Sequence, residues 1–409
     1  MIIVAKRMIK RLNELGAVGL DAEGRRTRLA ADDADKAGRD LVVGWMREAG
    51  MQVFVDYIGN IIGLWESAEN QGRPPIMTGS HIDTVVNAGQ YDGCLGVVTG
   101  IEVIQSMQEA GLRPQKPLAV AVFTNEEGVR YAPDMMGSLV YAGGLSAGEA
   151  CASVGTDGSL LGEELKRIGY AGTVEPGFLK PEAFVELHVE QGPILEAEGY
   201  QIGAVDHLQG ISWQRITIEG EQNHAGTTPI SYRKDAGLAA ARVIAFMRER
   251  CLASGGKTLA TVGCMELAPN AINVIPDRAI FTMDIRNPVE EALQAEEKAL
   301  DEFLHQLERE EGVKVHKERL SRFSPVRFDE GIVEVIEKVA REQGLSCRRI
   351  TSGAGQDAQN MACICPTAMI FVPSHKGISH NPEELTFEAD LKAGGDVLGA
   401  VLQELADCI

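Results

Sequence analysis

Short apolar segments alternate with amphipathic ones along most of this chain, and this alternation limits the folds that it can adopt. Residues 33–49 and 95–107 have the apolar spacing of helices. The apolar runs at 76–80, 118–124 and 183–189 are typical of buried strands. Strands that alternate with helices predict an α/β domain with a central, mostly parallel sheet.

The pattern changes near residue 210, and this change predicts a second domain inside the first. Six segments have, in turn, the patterns of a strand, a helix, two strands, a helix and a strand: 211–219, 233–251, 257–267, 278–286, 289–311 and 313–318. This order predicts a ferredoxin-like α+β unit. A chain of 409 residues is also too long for one ordinary core. We therefore predict a catalytic α/β domain formed by 1–209 and 327–409, with a lid or dimerisation domain inserted at 210–326.

Charge and cysteine content exclude several classes of partner. The formal net charge of −20 argues against nucleic acid or an anionic membrane, because both would be repelled, and an anionic substrate would need local cations. No run reaches the roughly 18 apolar residues that span a membrane. The eight cysteines include no Cys-x-x-Cys pair, which favours a reduced, cytoplasmic protein over a zinc-knuckle or disulfide-linked one.

Histidines and carboxylates follow the predicted strands. His81, Asp83 and Asp92 come after one strand, and Glu126 and Glu127 after the next. Ligands gather at the carboxyl ends of parallel strands, and imidazole with carboxylate is a ligand set of zinc or manganese. Because two adjacent glutamates cannot share one face, one would bind metal and the other act as general base. The alternative is a loop in which the aspartates form turns and the glutamates are solvated.

Two further histidines are candidates for the same site. Alternation along the strand places His188 on one side, with Glu186 and Glu190 beside it. His380 precedes an Asn-Pro turn and is a better ligand candidate than His375, which could be a plain surface residue.

The predicted inserted domain carries three polar residues of a different kind. His224, Asn273 and Arg286 supply an imidazole, an amide and a guanidinium. These groups are suited to polarising a carbonyl and gripping a carboxylate. By themselves they would be ordinary turn and strand residues.

Six short motifs occur in one order along the chain: Gly-Ser-His-Ile-Asp-Thr at 79–84, Asp-Gly at 92–93, Asn-Glu-Glu-Gly at 125–128, Glu-Leu-His-Val-Glu-Gln-Gly-Pro at 186–193, Asn-His-Ala-Gly-Thr-Thr-Pro at 223–229 and Gly-Ile-Ser-His-Asn-Pro-Glu-Glu at 377–384. With them the sequence resembles the amidase/hydantoinase/carbamoylase branch of the aminoacylase and carboxypeptidase G metallopeptidase superfamily, from about residue 5 to 405. That branch contains N-carbamoyl-L-amino acid hydrolases, β-ureidopropionases and allantoate amidohydrolases.

The resemblance implies a centre of two divalent metal ions per chain, zinc or else manganese, cobalt or nickel. One ion would be held by His81 and His188 and the other by Glu127 and His380, with Asp92 as the bridge. The resemblance also implies a homodimer through the inserted domain, in which His224 serves the partner's active site. The remaining implied roles are the general base Glu126, the partner of His81 at Asp83, the substrate contacts Gln191, His224, Asn273 and Arg286, and a loop at the border of the site with Gly353 and Gly355.

The composition predicts a cytoplasmic protein, and the resemblance implies a metal-dependent amidohydrolase that cleaves the linear C–N bond of an N-carbamoyl (ureido) acid. The products of an N-carbamoyl-L-amino acid would be the L-amino acid, ammonia and carbon dioxide. Allantoate is the second candidate substrate and β-ureidopropionate the third. A non-catalytic metal-binding scaffold is the alternative from another class. A peptidase is disfavoured, because peptidases of the superfamily generally have an acidic residue where His188 stands.

Overall fold

The computed structural model describes residues 3–407, which form two compact units. The first contains the residues up to Asp206 and those from Phe328 onward, and the second is His207–Arg327. Among the described residues, no helix combines the length and the apolarity that crossing a membrane requires.

The strands of the described residues are β1 Gln52–Val55, β2 Ile61–Trp65, β3 Ile76–His81, β4 Leu118–Phe123, β5 Ala183–Val189, β6 Ile202–Leu208, β7 Gly210–Glu219, β8 Asn223–His224, β9 Leu259–Thr261, β10 Met265–Ala268, β11 Val274–Ile275, β12 Arg278–Asn287, β13 Lys314–Phe323, β14 Val326–Arg327, β15 Cys347–Ser352 and β16 Thr367–Val372. The helices are α1 Ala5–Gly16, α2 Asp33–Glu48, α3 Cys94–Glu109, α4 Met136–Tyr141, α5 Ala147–Cys151, α6 Leu161–Ile168, α7 Ile194–Glu198, α8 Ala236–Ala253, α9 Glu290–Glu311, α10 Glu330–Glu342, α11 Asp357–Met361 and α12 Glu388–Leu405.

The main sheet has the strand order β1-β2-β4-β3-β5-β16-β6-β14, and β15 also pairs with β6. Among these neighbouring pairs, β4-β3, β3-β5 and β5-β16 in the centre of the sheet are parallel, whereas β1-β2, β2-β4, β16-β6 and β6-β14 are antiparallel. The sheet is therefore mixed rather than mostly parallel. A parallel pair needs a crossover connection such as α3, between β3 and β4, whereas the short turn between β1 and β2 makes a hairpin.

Helix α3 joins the core of the first unit to the region of the candidate site. It is buried over most of its length and packs on β3 and β5 and against α1 and α12. Gly96 allows this close packing, because a Cβ there would lie 2.6 Å from the carbonyl oxygen of Leu187. The helix begins at Cys94, so Asp92 lies at its N-terminal end, where the helix dipole favours negative charge.

The second unit is built on an antiparallel sheet of order β10-β12-β7-β13, with β9 also paired to β12. Its main elements follow the order β7, α8, β9 with β10, β12, α9 and β13, which is that of a ferredoxin-like unit if β9 and β10 count as one interrupted strand. Strands β8 and β11 pair with each other outside this sheet. Alternate residues of β12, including Phe281 and Ile285, are buried in a core with residues of α8 and α9 such as Val243 and Leu300. The strand predicted at 257–267 is two short strands, because residues 262–264 interrupt its pairing with β12.

Candidate metal centre

The first group of candidate ligands is buried where β3 and β5 end and α3 begins, and consists of His81, His188 and Asp92. Nε2 of His81 lies 3.6 Å from Oδ1 of Asp92, and Nε2 of His188 lies 3.2 Å from the same oxygen. All three residues are at most 5% exposed. One ligand atom from each lies within 4.8 Å of the other two, which is close enough for one ion to contact all three.

The second group shares Asp92 with the first. Nε2 of His380 lies 3.2 Å from Oδ2 of Asp92 and 3.4 Å from Oε2 of Glu127. The His380 side chain is 48% exposed, so this group faces solvent on one side. Asp92 thus directs one carboxylate oxygen to each group, which is the arrangement that a carboxylate bridging two metal ions requires.

The hydrogen bonds of the histidines fit a divalent ion at the first group. Nδ1 of His81 is 2.9 Å from the carbonyl oxygen of Asp83, and Nδ1 of His188 is 2.9 Å from that of Val189. A carbonyl can only accept, so Nδ1 carries a proton in both rings and Nε2 is the candidate ligand atom. Nε2 of His188 also accepts the backbone N–H of Gly93 at 3.0 Å. Nε2 of His81 and Oε1 of Glu127 are buried without a hydrogen-bond partner, which a bound ion would supply.

Asp83 contacts His81 through its backbone carbonyl rather than through its carboxylate. The carboxylate is 4.0 Å from Nδ1 of His81, whereas the carbonyl oxygen is 2.9 Å away. The carboxylate instead accepts the backbone N–H groups of Glu126 and Glu127, each at 3.2 Å. Asp83 therefore helps to fix the orientation of the His81 ring and the backbone position of Glu126 and Glu127.

Glu126 lies beside the first group and is 7% exposed. Its Oε2 is 3.4 Å from Nε2 of His81. Burial raises the pKa of Glu126 well above its ordinary value, and the neighbouring carboxyl groups of Asp357, Glu127 and Asp92 raise it further, against the opposing effect of His81. A carboxyl group with a raised pKa can both take and return a proton near neutral pH.

The other groups of the centre are also shifted. Burial and the nearby Asp92 raise the pKa of Glu127 to about 7. The hydrogen bond to Asp92 raises the pKa of His380 to about 9. Burial would raise the pKa of Asp92, but the neighbouring histidines His188, His380 and His81 hold it well below its usual range. Asp92 is therefore ionised, as a bridging ligand must be.

Gln191 connects the centre to the loop that contains Gly353 and Gly355. Its Nε2 donates to Oδ2 of Asp92 at 2.8 Å, and its Oε1 accepts from Nε2 of Gln356 at 2.8 Å. Gly353 is exposed, and Gly355 lies so close to Met135 that a Cβ would be 3.0 Å from the methionine Cε. A substrate-binding role for this loop and for Gln191 stays a prediction.

The other three predicted contacts, His224, Asn273 and Arg286, belong to the second unit. Nδ1 of His224 accepts the N–H groups of Gly226 and Thr227, at 3.0 and 3.2 Å. The proton of this exposed imidazole is therefore on Nε2, which can donate. The carbonyl of Asn273 accepts the N–H of Ala225 at 3.0 Å, so the structure brings Asn273 next to the His224 loop.

Arg286 is on β12 and forms an ion pair with Asp284, two residues away on the same face of the strand, at 2.9 Å. The approach of His224, Asn273 and Arg286 to a substrate stays a prediction.

Several polar residues that support the centre were given no role from the sequence. The carboxylate of Glu384 accepts the N–H groups of Tyr91 and Asp92, at 2.7 and 3.3 Å. Glu186, two residues before His188 on β5, accepts a hydrogen bond from the Ser80 hydroxyl at 2.6 Å. Glu384 lies inside the motif at 377–384. Nothing in that motif indicates a contact with Tyr91 and Asp92, which are 293 and 292 residues earlier in the sequence.

Comparison with known proteins identifies the family. The model of peptidase family M20/M25/M40 matches residues 77–404, which include both ligand groups and Glu126. The chain belongs to peptidase family M20/M25/M40. Its relatives in this family include the N-carbamoyl-L-amino-acid amidohydrolase of Rhizobium meliloti, 37% identical over 99% of this chain and 97% of that protein. The enzyme of the same name from Geobacillus stearothermophilus is 38% identical over 99% of both.

A ureidoglycolate hydrolase of Arabidopsis thaliana is 35% identical to this M20/M25/M40 protein, over 93% of this chain and 82% of the length of the hydrolase. Among solved structures, a hydantoinase/carbamoylase family amidase from Burkholderia multivorans superposes with a TM-score of 0.96, at 40% identity, over 99% of this chain and 98% of the other. The predicted membership of the hydantoinase/carbamoylase branch is confirmed, and the chain belongs to a family of hydrolases.

Proposed function

We propose that this M20/M25/M40 protein is a metal-dependent amidohydrolase that cleaves the linear C–N bond of N-carbamoyl-L-amino acids. The observation that carries the proposal is the geometry of Asp92, which directs one oxygen to each of two ligand groups with Glu126 beside them. The names of the relatives at 37% and 38% identity support a ureido acid as the substrate.

Two divalent ions per chain would occupy the centre, zinc or else manganese, cobalt or nickel. His81 and His188 would hold one, Glu127 and His380 the other, and Asp92 both. When bound, such ions make water more acidic and polarise a carbonyl oxygen.

Glu126 is the group of this chain that moves the proton. It accepts a proton from the attacking water as the new C–O bond forms at the carbamoyl carbon. It then returns that proton to the nitrogen of the amino acid as the C–N bond breaks. The amino acid leaves with a neutral amine, and the carbamic acid that remains decomposes to ammonia and carbon dioxide. The raised pKa of Glu126 supports this role, because the carboxyl group must hold a proton between the two steps.

The second unit would bind the two ends of the substrate. His224 presents an N–H at Nε2 that can donate to the oxygen of the tetrahedral intermediate. Arg286 would grip the substrate carboxylate through its planar guanidinium. We also propose a homodimer through this unit, with His224 serving the partner's site. Exposed apolar side chains support an interface here, since Ile230, Tyr232 and Ile272 are 86%, 77% and 103% exposed.

Allantoate, ureidoglycolate and β-ureidopropionate are alternative substrates with the same ureido group, and we place the reaction in the cytoplasm. The test is an ammonia-release panel with zinc- or manganese-loaded protein and N-carbamoyl-L-methionine, N-carbamoyl-β-alanine, allantoate, ureidoglycolate and N-acetyl-L-methionine. We expect the highest kcat/KM with N-carbamoyl-L-methionine, and ammonia release about 10²- to 10⁴-fold slower from Glu126→Gln protein. A preference for the N-acetyl substrate would overturn it, and inactivity of loaded protein on the whole panel would favour a scaffold.

A further inference from the structure

We propose that Glu384 is a positioning residue that holds the loop of His380 against the loop of Asp92 through hydrogen bonds. By doing so it sets the affinity of the second ligand group for its ion. The inference rests on the proposed two-ion function and goes beyond it. It assigns a selective role at one of the two ion sites to a residue that is not itself a ligand.

The contacts of Glu384 join two distant parts of the chain. Its Oε1 accepts the backbone N–H of Tyr91 at 2.7 Å and that of Asp92 at 3.3 Å. Its Oε2 accepts from the hydroxyl of Ser379 at 3.0 Å. One carboxylate therefore holds the backbone that carries the bridging ligand and the residue next to His380.

The Asp92 loop is shaped to receive this side chain. Glu384 is 6% exposed, so its charge depends on these donors in place of water. Gly89 leaves the room it needs, because a Cβ at that position would lie 2.2 Å from the Glu384 carboxyl carbon. Removal of the carboxylate would leave buried N–H groups without an acceptor and a space between the loops.

Ser379 connects Glu384 to the carboxylate oxygen of Asp92 that faces the second ligand group. Its hydroxyl is 3.0 Å from Oε2 of Glu384 and 3.2 Å from Oδ2 of Asp92. A serine hydroxyl has one proton, so it donates to one of these oxygens at a time. Donation to Glu384 leaves a lone pair of the Asp92 oxygen free for an ion.

His380 needs such an anchor more than the other histidines do. Its backbone has a φ of 52°, in the left-handed region that a non-glycine residue rarely adopts. It also belongs to a half-exposed loop, whereas His81 and His188 are at the ends of buried strands. Loss of Glu384 should therefore weaken the second group and leave the first intact.

The experiment is a zinc titration of metal-free protein, with stoichiometry and affinity read for each ion. Glu384→Ala and Glu384→Gln are compared with Glu383→Ala and Glu383→Gln, which make the same changes at the exposed neighbouring residue. Thermal unfolding of the metal-free proteins checks that each is folded. We expect two ions in the wild type and both Glu383 variants. In Glu384→Ala we expect one zinc ion to bind with unchanged affinity and the second to bind at least tenfold more weakly. Glu384→Gln should lie between, because its amide oxygen still accepts.

If Glu384→Ala does not fold, the test rests on Glu384→Gln. In that variant we expect the affinity for the second zinc ion to fall at least threefold. Two ions with the affinities of the Glu383 variants, or equal weakening of both ions, would overturn the inference. A wild type that binds no zinc would overturn the proposed function instead.

Discussion

Glu126 and Glu127 are consecutive residues whose carboxylates contact different histidines. Oε2 of Glu126 is 3.4 Å from Nε2 of His81, and Oε2 of Glu127 is 3.4 Å from Nε2 of His380. The two side chains separate because Asp83 binds both of their backbone N–H groups and fixes the turn after β4. A substitution at one should therefore have a different effect from the same substitution at the other.

We expect Glu126→Gln to lower kcat by about 10²- to 10⁴-fold, because it removes the general base. The ion content should stay near that of the wild type, since Glu126 is not among the proposed ligands. Glu127→Gln should lose one ion per chain. Metal analysis by mass spectrometry, together with ammonia release, measures both effects. If Glu126→Gln emptied the centre as fully as Glu127→Gln, the assigned roles would be wrong.

Arg286→Ala should lower kcat/KM by roughly 30- to 200-fold with an N-carbamoyl amino acid, because a bidentate charged contact is lost. Arg286→Lys should recover only part of it, since an ammonium lacks the planar fork. Steady-state kinetics on the same substrate with its carboxylate converted to an amide is the control. That substrate should be nearly insensitive to the change, and an equal loss on both substrates would remove the carboxylate contact from the proposed function.

His224→Ala should lower kcat by about 10²- to 10³-fold, the effect of removing one donor to a developing oxyanion. The matched control is His316→Ala, a histidine of the same unit that is 67% exposed and has no proposed role. Its kcat should equal that of the wild type. A His224→Ala enzyme with normal kcat and raised KM would point to ground-state binding instead.

Asp357 provides a pH-dependent stability prediction. Burial and the nearby Glu186 raise the pKa of Asp357 to about 8. Because the folded pKa is above the unfolded one, the stabilisation is full below about pH 4 and is lost as the pH rises through 8. Asp357→Asn, which cannot ionise, should therefore be more stable than the wild type at pH 9, by about 1–3 kcal/mol. Urea unfolding with a chelator at pH 5 and pH 9 measures this. A lower stability of Asp357→Asn at both pH values would contradict it.

Much of the architecture could be predicted because each strand or long helix has an apolar pattern within its own short stretch of sequence. The apolar run of β4 is continuous, and polar clusters lie at or after the ends of β3, β4 and β5, so the approximate position of the centre could be predicted. The helices α4, α5 and α6 were missed because helices of five to eight residues have too few turns for a periodic pattern.

Contacts between distant segments could not be predicted in the same way. The bond from Tyr91 to Glu384 spans 293 residues, and no local pattern encodes it. The use of the Asp83 carbonyl in place of its carboxylate depends on where the N–H groups of Glu126 and Glu127 point. The antiparallel pairs β2-β4 and β16-β6 join strands that are not consecutive in the chain, so no local pattern encodes their direction. The sheet is therefore mixed where a mostly parallel one was predicted.

The unequal exposure of the histidines has a consequence for how the centre would exchange its ions. His81 and His188 are 1% and 0% exposed, whereas the His380 side chain is 48% exposed. An ion held by the buried pair would leave slowly, and one held by His380 would equilibrate quickly with the surrounding solution. In a cell that contains several divalent metals, molecules of this protein would then keep one resident ion and carry an exchangeable second, so that a mixed-metal centre would be an ordinary state.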